Sequence, residues 1–187
     1  MSTSRSQRCP SCLHRPLRIN GIRAVGYLEG ALKTAIHRFK YSHLRPLAAP
    51  LGRLASDYLS NHRLPVDTVV PVPLHSRRLR ERGYNQAALL AGEIGRTTEM
   101  TVVDDVLQRV RGTSPQVGLN AAQRRENVRG AFQCTNTSLR DRRVLLVDDV
   151  CTTGATMESC SMALREAGAI VVWGLALARE RWHEHET

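Results

Sequence analysis

The sequence predicts an α/β fold, a mostly parallel sheet flanked by helices, and three observations carry that expectation. Residues 144–147, Val-Leu-Leu-Val, are a short apolar run with β-branched ends, the composition of a strand buried in a parallel sheet. Asp148 and Asp149 stand at its C-terminal end, and a polar loop, Thr152–Thr156, leads into a stretch of helical composition reaching Ala167. Thr68–Val70 and Ile170–Leu177 are further apolar strands, and the first breaks into Pro71-Val72-Pro73 before a helical segment, Tyr84–Arg96. Strands followed by helices in this way make an α/β core, here beginning at Pro65.

Residues 1–25 read as a basic leader containing Cys9-Pro10-Ser11-Cys12. Residues 26–64 read as a helical cap set apart from the sheet. In its first helix Leu28, Leu32, Ala35, Ile36 and Phe39 share one face, with Lys33, His37 and Lys40 elsewhere. A second helix follows His43-Leu44-Arg45-Pro46, because Leu47, Leu51, Leu54 and Tyr58 recur at helical spacing. Pro46 suits a first turn. Pro50 would fall a turn later, which asks for a later start or a distortion. Within the core, residues 65–180, Thr101–Asp104 and Val106–Val110 have strand character. Arg111–Asn127 is polar and poor in large apolar residues and reads as a long loop, a kind that is usually functional. Val128–Gln133 returns as a strand, and residues 181–187 form a frayed tail.

The chain carries 27 Lys and Arg against 17 acids, a formal net charge of +10, which suits a polyanionic ligand, nucleic acid or both. Aromatic residues are 4% of the chain, too few for a base-stacking stripe, and no DNA-reading motif is present. No apolar stretch approaches the ~20 residues of a bilayer span. The polar N-terminus lacks the apolar core of a secretory signal, so a cytoplasmic location is expected, without membrane contact. Five cysteines, an odd number, do not read as a disulfide framework.

Chemistry concentrates in residues 144–156. Open α/β sheets bind ligands where strands end and helices begin. A helix N-terminus rich in hydroxyls is an anion site, and paired carboxylates beside it suit a sugar diol or a hydrated Mg²⁺. Together they ask for a phosphorylated sugar. A capped βα turn would need one hydroxyl and would explain neither the other two threonines nor the paired acids. The run, four apolar residues, two acids, two variable positions and Thr-Thr-Gly-x-Thr, resembles the phosphoribosyl-pyrophosphate (PRPP) motif of type I phosphoribosyltransferases. The resemblance implies that fold, with a helical N-terminal cap and a flexible hood loop. It also implies that Asp148 and Asp149 hold the ribose hydroxyls, with Mg²⁺ close by. The loop from Val150 and Cys151 through Thr152, Thr153, Gly154, Ala155 and Thr156 then cradles the 5′-phosphate.

Residues 71–86 combine a strand end, a rigid turn and four arginines, Arg77, Arg78, Arg80 and Arg82. Arginine forks grip phosphate oxygens and do not deprotonate, and so many cations near a helix start are unfavourable without an anion. Gly83 would permit a close backbone approach or a positive φ. Pro73, Arg77, Arg78, Arg82 and Gly83 are accordingly the candidate diphosphate-binding residues, as in the corresponding loop of type I enzymes. Val-Pro-Val-Pro, then Arg82-Gly83-Tyr84-Asn85-Gln86, resembles the ComF family of competence-linked phosphoribosyltransferase-like proteins. So do Phe39-Lys40-Tyr41, Thr113-Ser114-Pro115-Gln116, and Arg125-Glu126-Asn127-Val128-Arg129-Gly130-Ala131-Phe132. The resemblance covers residues 26–177.

Arg111–Asn127 falls where type I enzymes carry the hood, so the resemblance nominates Gln116, Arg124, Arg125 and Asn127 as groups that close over the departing diphosphate, with Arg124 and Arg125 catalytic. Cys9 and Cys12 have the spacing of half a zinc site. ComF proteins commonly carry two such pairs; here only His14 is near, and Zn²⁺ is not expected. Cys151, at a helix start, reads as a small filler residue. The implied activity is Mg²⁺-assisted transfer of a phosphoribosyl group from PRPP to an unidentified acceptor, in competence, DNA uptake or nucleotide salvage, by a homo-oligomer. A non-catalytic PRPP sensor or DNA-uptake accessory that meets nucleic acid or a competence-machinery protein is the alternative, and a plain DNA-binding module is a third.

Overall fold

Five parallel strands in the order β1-β7-β6-β2-β3 form the central sheet of the computed structural model, which describes residues 18–112, 121–135 and 137–181. Cys9, Cys12, His14, Gln116 and residues 182–187 lie outside the described residues, as does the side chain of Arg125. The strands are β1 (Gly21–Tyr27), β2 (Thr68–Pro71), β3 (Thr101–Val102), β6 (Arg143–Cys151) and β7 (Val171–Arg179). A separate antiparallel pair joins β4 (Leu107–Arg109) to β5 (Phe132–Cys134).

Helices cover both faces, as burial of a parallel sheet requires. Val69, Leu145, Val147, Leu175 and Leu177 pack beneath α1 (Gly30–Tyr41), α2 (Ala48–Asn61) and α4 (Gln86–Thr98). On the other side Val70, Val144, Leu146, Val172 and Ala176 share a core with α6 (Ala155–Glu166) and the β4–β5 pair. The alternation along β6, with Leu145 and Val147 on one side and Val144 and Leu146 on the other, is the period of two that a strand imposes.

Helix α2 buries Ala48, Leu51, Gly52, Ala55, Ser56 and Leu59, a face repeating at helical spacing. Its small residues, rather than Leu54, meet the neighbouring helix: Leu54 is exposed, and a Cβ on Gly52 would lie 2.4 Å from Glu93 Cβ of α4. Pro46 sits in a 3₁₀ turn, Arg45–Leu47, and Pro50 falls in the first turn of α2, where its missing N–H costs no hydrogen bond.

The structure corrects three expectations. Residues 21–25, expected in the leader, and residues 26–27, expected in the cap, form instead one edge strand paired with β7. Gly21 fits there because a side chain would strike the Trp173 ring at 2.4 Å, and Arg23 stacks over that ring. Helices α1 and α2 are not set apart from the sheet; they share one core with it. Finally, part of the expected long loop is helical, α5 (Ala121–Val128), and it packs on α6. Among the described residues no helix is long and apolar enough to cross a membrane.

Candidate functional site

A cleft of about 540 Å³ opens at the C-terminal ends of β2 and β6, where open parallel sheets expose strand ends to ligands. Strand β6 carries Asp148 and Asp149 to its rim and ends at Cys151. Thr152, Thr153 and Gly154 then turn the chain into α6. Gly154 holds φ +76° as the residue capping α6, and a Cβ there would lie 2.8 Å from Ile22 Cδ1. This positive φ is the reason for glycine. The hydroxyl of Thr153 accepts from the Ala155 N–H at 3.4 Å, and the remaining hydroxyls stand at the positive end of a helix of 12 residues.

The two carboxylates are held differently. Asp149 is 7% exposed and its Oδ1 lies 2.8 Å from Lys40 Nζ, an ion pair delivered from the last turn of α1. Asp148 Oδ1 accepts from the backbone N–H of Asp149 at 2.8 Å. Burial, with the neighbouring Asp149 charge, pushes the Asp148 pKa up to about 7; Lys40, that backbone N–H and Arg82 oppose the rise. The cleft therefore holds a carboxyl that resists ionising until a cation or hydroxyl donor meets it. Behind it on α6, burial pushes the Cys160 thiol well above its ordinary range, and Asp148 adds to the effect.

The arginine segment is a helix, α3 (Ser76–Arg82), rather than a turn. It is capped at its start by His75 and closed at Gly83, whose φ of +72° ends it in the left-handed conformation. Helical spacing splits its cations. Arg78 and Arg82 line the cleft with Pro73, while Arg77, 78% exposed at the side chain, pairs with Glu81 one turn on. Arg82 Nη1 donates to Gln86 Oε1 at 3.1 Å and its guanidinium stacks on Tyr41. Asn85 ties the segment down by donating to Val72 C=O and accepting from the Ala87 N–H, starting α4.

Of the expected ligand residues, the cleft gathers Asp148, Asp149, Val150, Cys151, Thr152, Thr153, Gly154, Ala155, Thr156, Pro73, Arg78 and Arg82. It does not gather Arg77 or Gly83: one points along an exposed helix face, and the other serves the helix end. Arg124 sits on α5 outside the cleft lining, its Nε buried without a hydrogen-bond partner among the described residues. Lys40, Tyr41, His43 and Arg109 line the cleft unforeseen as site residues. Arg109, on β4, is a cation whose pKa is lowered by burial and then by neighbouring Arg78, against the pull of Cys160 and Asp148. Lys40 and Tyr41 had a signal in Phe39-Lys40-Tyr41. Arg109 had none beyond a basic residue in a short strand.

Residues 45–181 match the family described as the phosphoribosyl transferase domain. Competence protein F of Haemophilus influenzae is 36% identical over 182 residues, covering 92% of this chain and 80% of that protein. The chain belongs to the ComF family. A second family relative, the DNA utilization protein YhgH of Escherichia coli K12, is 33% identical over 175 residues, covering 89% of this chain and 76% of its own. Among solved structures, glutamine PRPP amidotransferase from B. subtilis, complexed with ADP and GMP, aligns with 70% of this ComF chain and 26% of that one. It does so at 20% identity with a TM-score of 0.49.

Proposed function

We propose that this ComF protein binds PRPP with Mg²⁺ and transfers its phosphoribosyl group to a nucleophilic acceptor, releasing pyrophosphate. One observation carries the reading: a single cleft brings together the acid pair, a hydroxyl-rich helix start, and Arg78, Arg82 and Arg109. A ligand with a diol, a phosphate at one end and a diphosphate at the other matches all three groups.

Asp148 and Asp149 accept hydrogen bonds from the ribose hydroxyls. The loop from Thr152 to Thr156 and the first N–H groups of α6 hold the 5′-phosphate. Arg78, Arg82 and Arg109 receive the diphosphate. As the C1–O bond breaks, its electron pair leaves on the diphosphate oxygen, and the acceptor's lone pair closes on C1 from the other face. The chain supplies position and fixed charge and needs no covalent nucleophile.

The donor set fits Mg²⁺ held in large part by ligand oxygens: two adjacent carboxylates are present, and no group of three His, Cys, Asp or Glu among the described residues makes a cage. When bound, Mg²⁺ neutralises charge on the departing diphosphate.

Calorimetric titration with PRPP, with and without Mg²⁺, tests the reading, with Asp148→Asn/Asp149→Asn as control. Mg²⁺-dependent binding lost in the control supports it and opens an acceptor screen by pyrophosphate release. Absence of binding under both conditions sinks it. A second reading, a PRPP-binding accessory in DNA uptake without turnover, is favoured by the position of Arg124 outside the cleft lining. On that reading Arg124→Gln/Arg125→Gln leaves function intact; on the first it slows turnover. The names of the relatives, competence protein F and DNA utilization protein, support a role for either version in handling DNA.

A further inference from the structure

We infer that Lys40 is a ligand-binding residue of this cleft, a fixed cation that shares the work of the divalent ion beside the acid pair. The inference rests on the PRPP reading above and adds a residue and a cation dependence to it.

An ammonium has three N–H donors and no acceptor. Lys40 Nζ spends one of them on Asp149 Oδ1 at 2.8 Å, and Asp149 is its one ion-pair partner among the described residues. The lysine side chain is 18% exposed and lines the cleft, so the donors left over stand where a ligand enters. Asp149 keeps its Oδ2 for a hydroxyl. A diol can therefore dock on the carboxylate while Lys40 stays paired and donates to a neighbouring ribose or phosphate oxygen.

The ammonium is placed by packing rather than by the ion pair alone. Phe39, the preceding residue, is fully buried with its ring 5.7 Å from that of Tyr84. The Tyr84 hydroxyl donates to the Phe39 C=O, and Tyr84 lies between the arginine helix α3 and α4. The last turn of α1 is thus fastened to the segment that carries Arg78 and Arg82. A point charge held this way against a carboxylate does part of what a bound Mg²⁺ would do there: it offsets the acids and presents positive charge to phosphate oxygens.

The consequence is a measurable coupling between Lys40 and Mg²⁺. The experiment is calorimetric titration of the full chain with PRPP, in saturating Mg²⁺ and in EDTA, for wild type, Lys40→Met and Lys40→Arg, each first checked by thermal melting. Wild type is expected to keep weak binding in EDTA. Lys40→Met should lose it, so that Mg²⁺ strengthens binding by a factor roughly tenfold larger in the variant, the signature of two groups sharing one task. If Lys40→Met fails to fold because Asp149 is left unpaired, Lys40→Arg decides, since its displaced charge should also enlarge the Mg²⁺ factor. A lysine with a merely structural role would lower the melting temperature and leave the Mg²⁺ factor at its wild-type value, and that result overturns the inference alone. Wild type that binds no PRPP in either buffer overturns the inference together with the reading it rests on.

Discussion

An Asp148→Asn substitution exchanges a carboxylate for an amide of the same shape and retains the oxygen that accepts the Asp149 N–H at 2.8 Å. What it removes is the charge. The ordinary pKa of the carboxyl is 3.8, and in the folded protein burial and Asp149 push it to about 7. Between those values the folded chain binds a proton that the unfolded chain has released, so stability falls as pH rises through the window. Below it both states are protonated and the penalty vanishes; above it the penalty is complete. At about 1.36 kcal/mol per pKa unit the ceiling is roughly 4 kcal/mol, and relaxation around a partly solvated carboxylate brings the expectation to about 1–3 kcal/mol.

The variant should therefore be more stable than wild type in the absence of ligand. For a chain of this size each kcal/mol moves the melting temperature by about 2–4 °C, so a gain of roughly 2–12 °C is expected at pH 8. Thermal unfolding followed by circular dichroism, at pH 8 and pH 5 without PRPP or Mg²⁺, measures it. At pH 5 the gain should shrink by more than half, because only the lower part of the window has been crossed. Equal stability at pH 8, or a gain of the same size at both pH values, would refute the assignment of Asp148 as a costly charge. The companion Asp149→Asn should go the other way, since it strands the Lys40 ammonium in a largely buried position.

Arg78→Gln and Arg82→Gln should each weaken PRPP and pyrophosphate binding about tenfold in calorimetry, as loss of one charge-assisted contact implies. Arg77→Gln, exposed and paired with Glu81, should change neither. Gly154→Ala forces a Cβ into a positive-φ turn against Ile22 Cδ1; a loss of about 1–2 kcal/mol in urea unfolding and a failure to bind the 5′-phosphate end of ribose 5-phosphate are expected. Gly52→Val pushes α2 away from Glu93 on α4 and should cost about 1–3 kcal/mol by the same urea measurement, with PRPP affinity retained where the protein folds. Tyr84→Phe removes the hydroxyl that serves the Phe39 C=O and should cost about 1 kcal/mol. If Tyr84→Phe melts like wild type, that contact does not fasten α1.

What could be read in the sequence is what is local in it. Asp148 to Thr156 are consecutive, so strand, turn and helix start are dictated within one stretch, and the cleft forms around them. Arg109 was not legible as a site residue, and Lys40 only through the run Phe39-Lys40-Tyr41, because their place is made by tertiary structure: one arrives from a strand of three residues, the other from the end of α1. Helix α3 was hidden by composition, since four arginines and one exposed leucine in seven residues leave no apolar stripe to follow. Strand β1 was hidden for a related reason. Its two glycines are disfavoured by strand propensity, yet Gly21 makes room for the Trp173 ring of β7 and Gly26 for Leu32 of α1, uses that only the packed sheet reveals.

The electrostatics of the cleft bear on the proposed ligand in a way that neither half does alone. Asp148 is held against Asp149, and Arg109 is held near enough to Arg78 to be depressed by it. Each like-charged pair raises the free energy of the ligand-free fold, and Lys40, ion-paired to Asp149 and opposing the rise at Asp148, relieves the acid pair only in part. A simple polyanion would relieve the arginines and aggravate the acids. A metal ion or an amine would do the reverse. A phosphorylated sugar with free hydroxyls relieves both, because the diol donates to the carboxylates while its phosphates take the guanidinium groups, and a divalent ion between them lowers the remaining repulsion. The specificity expected of this cleft is therefore for the whole ligand over its parts: pyrophosphate alone and ribose 5-phosphate alone should each bind more weakly than PRPP, by more than the lost contacts on either side account for.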